Sequence, residues 1–298
     1  MTGIEKWIDS HQEMFVGVAA DIWEYAETGY KEIQSSARMV HVLKEFGFRV
    51  QEGVGEAPTA FVAEYGSEKP VIGLMAEYDA LPNLSQKLDT KPNPLIPGAN
   101  GHGCGHNLLG TASLAAAIAV KEAIERGTIR LYGTPAEELL TGKVYMAKQG
   151  VFNDLDIALG WHPEGVNAVF ETSTSAMRSA KFHFKGVTAH AASDPFNGRS
   201  ALDAAELMNI SANYLREHVL PGVKIHYATI VSDLVPNIVP DKASVWYFVR
   251  GNNSDVVEQV YQRLVHCANG AAEMTETSYD IEFLGGCSDY MPNRVLNK

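Results

Sequence analysis

Gly101-His-Gly-Cys-Gly-His-Asn-Leu-Leu-Gly-Thr-Ala-Ser-Leu-Ala-Ala-Ala-Ile-Ala-Val120 is a glycine-spaced run of histidine and cysteine that passes directly into small and apolar residues. The apolar part predicts a helix from about Asn107 to Arg126, and what flanks it decides the fold class. Upstream, Thr59–Tyr65 and Val71–Ala76 are strand-like. Downstream, Thr128–Tyr132 and Asp156–Trp161 read as strands, with a helical stretch near Gly142–Gln149 between them. Strands alternating with helices argue for an α/β layer with a largely parallel sheet. Nearer the N-terminus, Ser35–Phe46 is a helix with Ala37, Val40, Leu43 and Phe46 on one face, stopped at Gly47. Residues 4–26 carry apolar positions at roughly helical spacing and predict one or two amphipathic helices.

Glu171-Thr-Ser-Thr-Ser175 is a polar patch after that pattern, and a domain boundary is expected there. Lys181–Lys185 reads as a strand. Ser200–Val219 reads as a helix with Leu202, Ala205, Met208, Ala212 and Leu215 along one stripe. Lys224–Val231 and Ser244–Arg250 alternate as strands, Asp255–Met274 is a helix, and Ser278–Leu284 is a last strand. The order β-α-β-β-α-β is the split arrangement of ferredoxin-like domains. The chain therefore reads as an α/β domain, 1–174, followed by an α+β domain, 175–288. The loop from Leu81 to Gly98 carries four prolines and no periodicity. Long irregular loops inside domains are often functional.

Composition narrows the function classes. The 298 residues are 46% hydrophobic and 20% charged, enough to bury a core. With 24 basic and 36 acidic side chains the net charge is −12, which disfavours binding to phosphate backbones and so to nucleic acid. The longest nearly apolar run, Leu108 to Val120, is 13 residues, too short to span a bilayer. Three cysteines give no disulfide framework, and no secretory pattern opens the sequence. A cytoplasmic location is expected.

Three signals could carry chemistry. His102, Cys104 and His106 stand at i, i+2 and i+4; in extended backbone they would project to one side, with glycines between them removing bulk. Thiolate with imidazole is a transition-metal ligand set. All three could form a closed structural zinc site, or one histidine could support the others. A helix starting near Asn107 is expected to lower the pKa of Cys104 and favour the thiolate. Thr134-Pro-Ala-Glu-Glu138 follows a strand, so Glu137 and Glu138 can take different jobs, one on a metal and one as a base; a solvated first helical turn is the plainer reading. Trp161-His162-Pro163 and Asp79 also stand at strand ends, where ligand sites of open α/β sheets lie. Asp79 could orient a ligand histidine. In the second domain His190 follows a strand, Pro236-Asn237-Ile-Val-Pro-Asp241 forms a polar cluster, and Arg250 could clamp a carboxylate.

Taken together these residues resemble the metal-dependent amidohydrolase and carboxypeptidase family that includes carboxypeptidase G, bacterial aminoacylases and plant auxin-conjugate hydrolases. The carrying segments are Gly73-Leu-Met-Ala-Glu-Tyr-Asp-Ala-Leu81, Asn100–Gly110, Pro135-Ala-Glu-Glu138, Trp161-His-Pro163, Gly186-Val-Thr-Ala-His-Ala-Ala192 and Gly198-Arg-Ser-Ala-Leu-Asp203. The resemblance implies a zinc-peptidase-like catalytic domain and a lid and dimerisation domain. It implies two divalent metal ions, manganese or zinc, held by Cys104, His106, Glu138 and His162. Glu137 would be the general base, and His190 would stabilise the oxyanion in the partner subunit's site. Asn237 and Arg250 would hold the substrate carboxylate across a homodimer formed through the lid. A paired homologous subunit is a further implied partner. The implied reaction is hydrolysis of the amide bond of N-acyl or N-aroyl amino acids, p-aminobenzoyl-glutamate first, with dipeptides or other N-acyl amino acids as the alternative.

The family pattern also continues past the lid to complete the catalytic sheet and add a ligand histidine. Residues 289–298 would begin that return, and the sequence stops at Lys298. On that reading the first domain has an unfinished sheet edge. The competing expectation is a dimerising metal-binding fragment or pseudoenzyme.

Overall fold

Residues 4–26 fold as two helices, α1 (Gly3–Ser10) and α2 (Gln12–Tyr25), with the break at His11, whose ring stacks on Trp7. The structure, a computed structural model, describes residues 3–231 and 235–298. It divides into two compact units, Met1–Asn167 and Ala168–Lys298.

In the first unit, α1 and α2 are followed by α3 (Ile33–Glu45), β1 (Arg49–Glu52), β2 (Phe61–Gly66), β3 (Val71–Ala76), α4 (His106–Ala123), β4 (Thr128–Gly133), α5 (Gly142–Lys148) and β5 (Ile157–Leu159). The sheet order is β1-β2-β4-β3-β5. β3 pairs in parallel with β4 and β5, while β2 pairs antiparallel with β1 and β4. β1 was not expected. It has one apolar residue and is held by its ladder to β2 and by Arg49 on Glu64, at 2.6 Å. Val18 and Ile22 of α2, Met39 and Leu43 of α3, and Leu114 and Ile118 of α4 bury against Phe61, Ile129 and Leu131 of the sheet. Each such side chain contributes about 1.5–3 kcal/mol by leaving water. A smaller cluster packs Val54, Ala60 and Met146 around Tyr132.

The second unit holds β6 (Ala176–Lys185), α6 (Ala201–Leu215), β7 (Lys224–Ile230), β8 (Lys242–Gly251), α7 (Ser254–Thr275) and β9 (Ser278–Cys287). Its order is β7-β8-β6-β9 and every pair is antiparallel, the ferredoxin-like arrangement. Ser200 caps α6 by accepting from the Asp203 N–H, and Asn253 caps α7 by accepting from the Val256 N–H. Phe182, Phe184, Val245 and Tyr247 of the sheet pack on Met208, Ala212, Leu264 and Ala268 of the helices. β6 begins five residues before its expected start. Arg178 masks the apolar pattern there, because its guanidinium lies over the rings of Tyr261 and Phe283.

The compact units divide seven residues before the expected boundary, and residues 289–298 cluster with the second unit. There the Tyr290 N–H donates to Thr174 Oγ1 and Asn297 Nδ2 donates to the Phe170 carbonyl. Among the described residues no helix is long and apolar enough to cross a membrane.

Candidate metal centre and active site

The carboxyl ends of β3, β4 and β5 point the same way, and the amino end of α4 meets them. Glu77 and Asp79 follow β3, the turn Thr134–Glu138 follows β4, His162 follows β5, and His106 opens α4. The close approach of α4 depends on Gly110: a Cβ there would stand 2.5 Å from the Glu77 carbonyl oxygen. The acid pair sits in a turn, not a helical first turn. The Thr134 N–H and hydroxyl both donate to the Ala76 carbonyl, at 2.8 and 3.0 Å. Ala136 is left-handed (φ 54°), a conformation that costs a non-glycine residue energy. It is held by Glu32, whose Oε1 accepts from the Ala136 N–H at 2.8 Å while its Oε2 accepts from the Thr59 hydroxyl at 2.9 Å. Glu32 is fully buried, and burial raises its pKa against the effect of those hydrogen bonds.

His106 is fully buried, and its Nδ1 lies 3.0 Å from both Asp79 Oδ1 and the Asp79 carbonyl. Two acceptors there assign the proton to Nδ1 and leave the lone pair on Nε2. His162 repeats the pattern: Nδ1 faces the Pro163 carbonyl at 2.9 Å, and Nε2 faces Cys104 Sγ at 3.3 Å. An imidazole tied through one nitrogen with the other open is the usual state of a ligating histidine. His106 Nε2 points at Glu77 Oε2, 3.3 Å away, and at Glu137 Oε2, 3.7 Å away. His106 Nε2, Glu77 Oε2 and Glu138 Oε1 are buried atoms with no hydrogen-bond partner. Buried acceptors facing one another call for a positive charge between them, from a proton or a bound cation.

The spacings fit a metal. Ligand atoms about 2.0–2.3 Å from a shared ion stand roughly 3.0–3.6 Å apart at ordinary bond angles. Ligand atoms of Cys104, His106 and His162, and likewise of Glu77, His106 and Glu137, all lie within 4.8 Å of one another. The residues present therefore fit a metal centre of thiolate, imidazole and carboxylate donors.

Electrostatics follow from the crowding. Burial pulls the pKa of His106 down, but its hydrogen bond to Asp79 and the charges of Asp79, Glu77 and Glu137 outweigh this and raise it. Burial and then the charge of Glu77 raise Glu137. Cys104 corrects the expectation of a thiolate favoured by the helix end. Burial and the charges of Glu138, Glu137 and Glu77 push its thiol up to about 12. A bound cation inverts that balance.

Of the residues expected from the sequence, Asp79, Cys104, His106, Glu137, Glu138 and His162 converge on this one place. His102 does not. The segment is a turn entering a helix, not extended backbone, so the i, i+2, i+4 residues do not share a side. His102 Nε2 faces the Ile22 carbonyl at 2.9 Å, its ring stacks near Trp23, and burial drops its pKa to about 4. The three-residue structural zinc site is thus not formed.

In the second unit, the loop bearing His190 pairs with the loop bearing Asn237: the Ala191 N–H donates to the Asn237 carbonyl, and His190 bridges Ile238. His190 Nδ1 accepts from the Ala192 and Ser193 N–H groups, both at 3.2 Å, so its proton is on Nε2, and the residue is exposed. Arg250 stands at the far end of β8, eight residues beyond Lys242, roughly 26 Å along the strand. Sequence reasoning missed Glu77, Lys143 and Glu32. Glu77 shares the strand-end position that singled out Asp79; Lys143 and Glu32 carry no local signal.

The family model of peptidase family M20/M25/M40 matches residues 73–291. The chain is 45% identical to one of the subunits of p-aminobenzoyl-glutamate hydrolase of Escherichia coli K12, over 98% of this chain and 62% of that protein, so it spans less than two thirds of that relative's length. It is 32% identical to thermostable carboxypeptidase 2 of Saccharolobus solfataricus, over 99% of this chain and 75% of that protein. Among solved structures, an aminobenzoyl-glutamate utilization protein from Klebsiella pneumoniae superposes with a TM-score of 0.75 at 21% identity, covering 99% of this chain and 81% of that one. The YXEP protein of Bacillus subtilis, described as a dinuclear metal-binding peptidase, gives a TM-score of 0.67 at 17% identity, covering 96% of this chain and 77% of that one.

Proposed function

The chain belongs to peptidase family M20/M25/M40, and from that premise we propose that it carries the catalytic and lid domains of a metal-dependent amidohydrolase. The observation that carries the reading is the convergence of unpartnered buried acceptors, Glu77 Oε2, His106 Nε2 and Glu138 Oε1, beside the Cys104–His162 pair. Cys104, His106, Glu138 and His162 are the proposed ligands, with Asp79 orienting His106. Asp79, Glu77, Glu137 and Glu138 bring four carboxylates around the single ammonium of Lys143, a surplus of three formal negative charges. That surplus exceeds one divalent ion and supports two, manganese or zinc.

Divalent ions held by these residues would supply Lewis acidity toward an amide carbonyl and would make an attacking water more acidic. Glu137, with its pKa raised by burial, takes the proton of that water and returns it to the departing amine nitrogen. His190, with its proton on Nε2, donates to the oxyanion as charge develops on the former carbonyl oxygen. Asn237 and Arg250 bind the substrate carboxylate. Asn237 lies in the loop before β8 and Arg250 near the strand's far end, a separation that supports a homodimer in which two copies contribute. β7 is an edge strand, and Tyr227 and Ile230 on it and Ile210 and Tyr214 on α6 are exposed, as a lid-to-lid interface requires. A paired homologous chain is the alternative partner, given that the E. coli relative is named as one subunit of its enzyme.

The proposed substrates are N-acyl or N-aroyl amino acids, p-aminobenzoyl-glutamate first by likeness to that relative, with dipeptides second; the proposed location is the cytoplasm. The test is release of p-aminobenzoate from p-aminobenzoyl-glutamate by the active enzyme containing this chain, with manganese or zinc supplied. Metal-dependent release at a rate above that for dipeptides is expected. Tight metal binding without hydrolysis of either class would overturn the catalytic reading.

A further inference from the structure

Glu77 lies outside the ligand set proposed above, yet its setting is that of a ligand. Its side chain is nine-tenths buried at the end of β3, where Gly110 lets α4 press on its own backbone carbonyl. Its two oxygens have different surroundings. Oε1 accepts from Lys143 Nζ at 2.5 Å, and Lys143, from the first turn of α5, keeps part of its side chain in solvent. Oε2 has no hydrogen-bond partner and faces His106 Nε2 at 3.3 Å.

That last contact is not a good hydrogen bond. The proton of a neutral His106 is held on Nδ1 by Asp79, so Nε2 and Oε2 are both acceptors. The separation also falls at the long edge of N–H···O bonding, about 2.7–3.2 Å, and inside the spread for two ligands of one ion. A buried carboxylate with one idle oxygen would normally turn to satisfy it. Glu77 cannot turn freely, because Lys143 anchors the other oxygen.

We propose that Glu77 Oε2 is an additional ligand to the ion bound by His106, and that Lys143 is a positioning residue that aims it there. The proposal rests on the metal-centre reading and adds a hard oxygen donor to it. Such a donor favours manganese over softer ions at that position. Lys143 also offsets one carboxylate charge, so the added ligand does not overload the site.

The experiment is Mn²⁺ titration of the protein containing this chain by electron paramagnetic resonance, with the visible spectrum of bound Co²⁺ as second readout. Glu77→Gln should weaken Mn²⁺ binding at least tenfold and change the intensity of the Co²⁺ d–d bands, as loss of a ligand does. Lys143→Met keeps the carboxylate but frees it, and should weaken Mn²⁺ binding about threefold to tenfold. It also serves as the independent variant should Glu77→Gln fail to fold by circular dichroism. Mn²⁺ affinity within threefold of the unaltered chain and a superimposable Co²⁺ spectrum, while His106→Ala abolishes binding, would overturn the role of Glu77 and leave the metal centre standing. Absence of divalent-ion binding by the unaltered protein, tested as the active enzyme containing this chain, would overturn both.

Discussion

Asp79→Asn tests how the centre is oriented, because the two oxygens of Asp79 do different work. Oδ2 accepts from the Glu138 backbone N–H at 3.0 Å, and Oδ1 faces His106 Nδ1 at 3.0 Å. The backbone donor cannot change its chemistry, so the asparagine carbonyl must stay on Glu138 and its NH₂ must turn to His106. Two donors then meet at Nδ1. The imidazole relieves this by moving its proton to Nε2, the nitrogen that faces Glu77 and Glu137, and a protonated nitrogen cannot ligate. The Asp79 carbonyl, also 3.0 Å from Nδ1, still competes for that proton, so the loss is partial. Removing an orienting carboxylate typically lowers metal affinity by about 10–100-fold, or about 1.4–2.7 kcal/mol. Stability without metal should fall by only about 1–2 kcal/mol, as two charge-assisted bonds become neutral ones. Competition with a chromophoric chelator measures the affinity, and urea unfolding measures the stability. Affinity within threefold of the unaltered chain would refute the orienting role, whatever happened to stability.

Glu137→Gln in the active enzyme containing this chain should lower kcat by about 10²–10⁴ while metal binding stays within a few-fold, checked by steady-state kinetics and metal titration. Glu32→Ala strands the buried Ala136 N–H and should cost about 1–3 kcal/mol in urea unfolding at neutral pH. Burial raises the folded pKa of Glu32, so the folded state keeps its proton after the unfolded chain has lost it, and stability falls as pH rises from 4.5 toward the raised value. Glu32→Gln should remove that slope, seen as a flatter difference in urea midpoint across the window. Gly110→Ala places a methyl against the Glu77 carbonyl and should destabilise by about 1–3 kcal/mol while weakening metal binding, measured on one preparation by unfolding and titration. Tyr214→Glu with Tyr227→Glu should shift a lid-mediated dimer to monomer in sedimentation velocity without changing the circular dichroism of either unit.

Much of the architecture was legible because the periodicities were strong. Val71–Ala76 is found with the expected bounds, and α4, α6 and α7 differ from their expected ends by one to four residues. The strand at Arg49–Glu52 was not legible, because cross-strand pairing and not apolar content holds it. The early start of β6 was hidden because Arg178 takes a place on the packed side through its aromatic neighbours. At the site, Cys104, His106, Glu137, Glu138 and His162 announced themselves by residue type at strand and helix ends. His102 carried the same local signal, yet its partner is the Ile22 carbonyl.

The sequence by itself determined which chemistry is available: thiolate, imidazole and carboxylates at the ends of apolar runs, in a chain of family M20/M25/M40. That information is local, since strand ends and residue types are written in short windows. Only the tertiary structure decided which donors face one another. Glu32 supports the turn of Glu137 from 104 positions before Ala136, and Lys143 anchors Glu77 from 66 positions away. It also decided the protonation balance, raising the Cys104 thiol where the helix end alone would lower it. Coulomb and desolvation energies depend on separations in space, and chain spacing does not encode those until the sheet brings the ends of β3, β4 and β5 together.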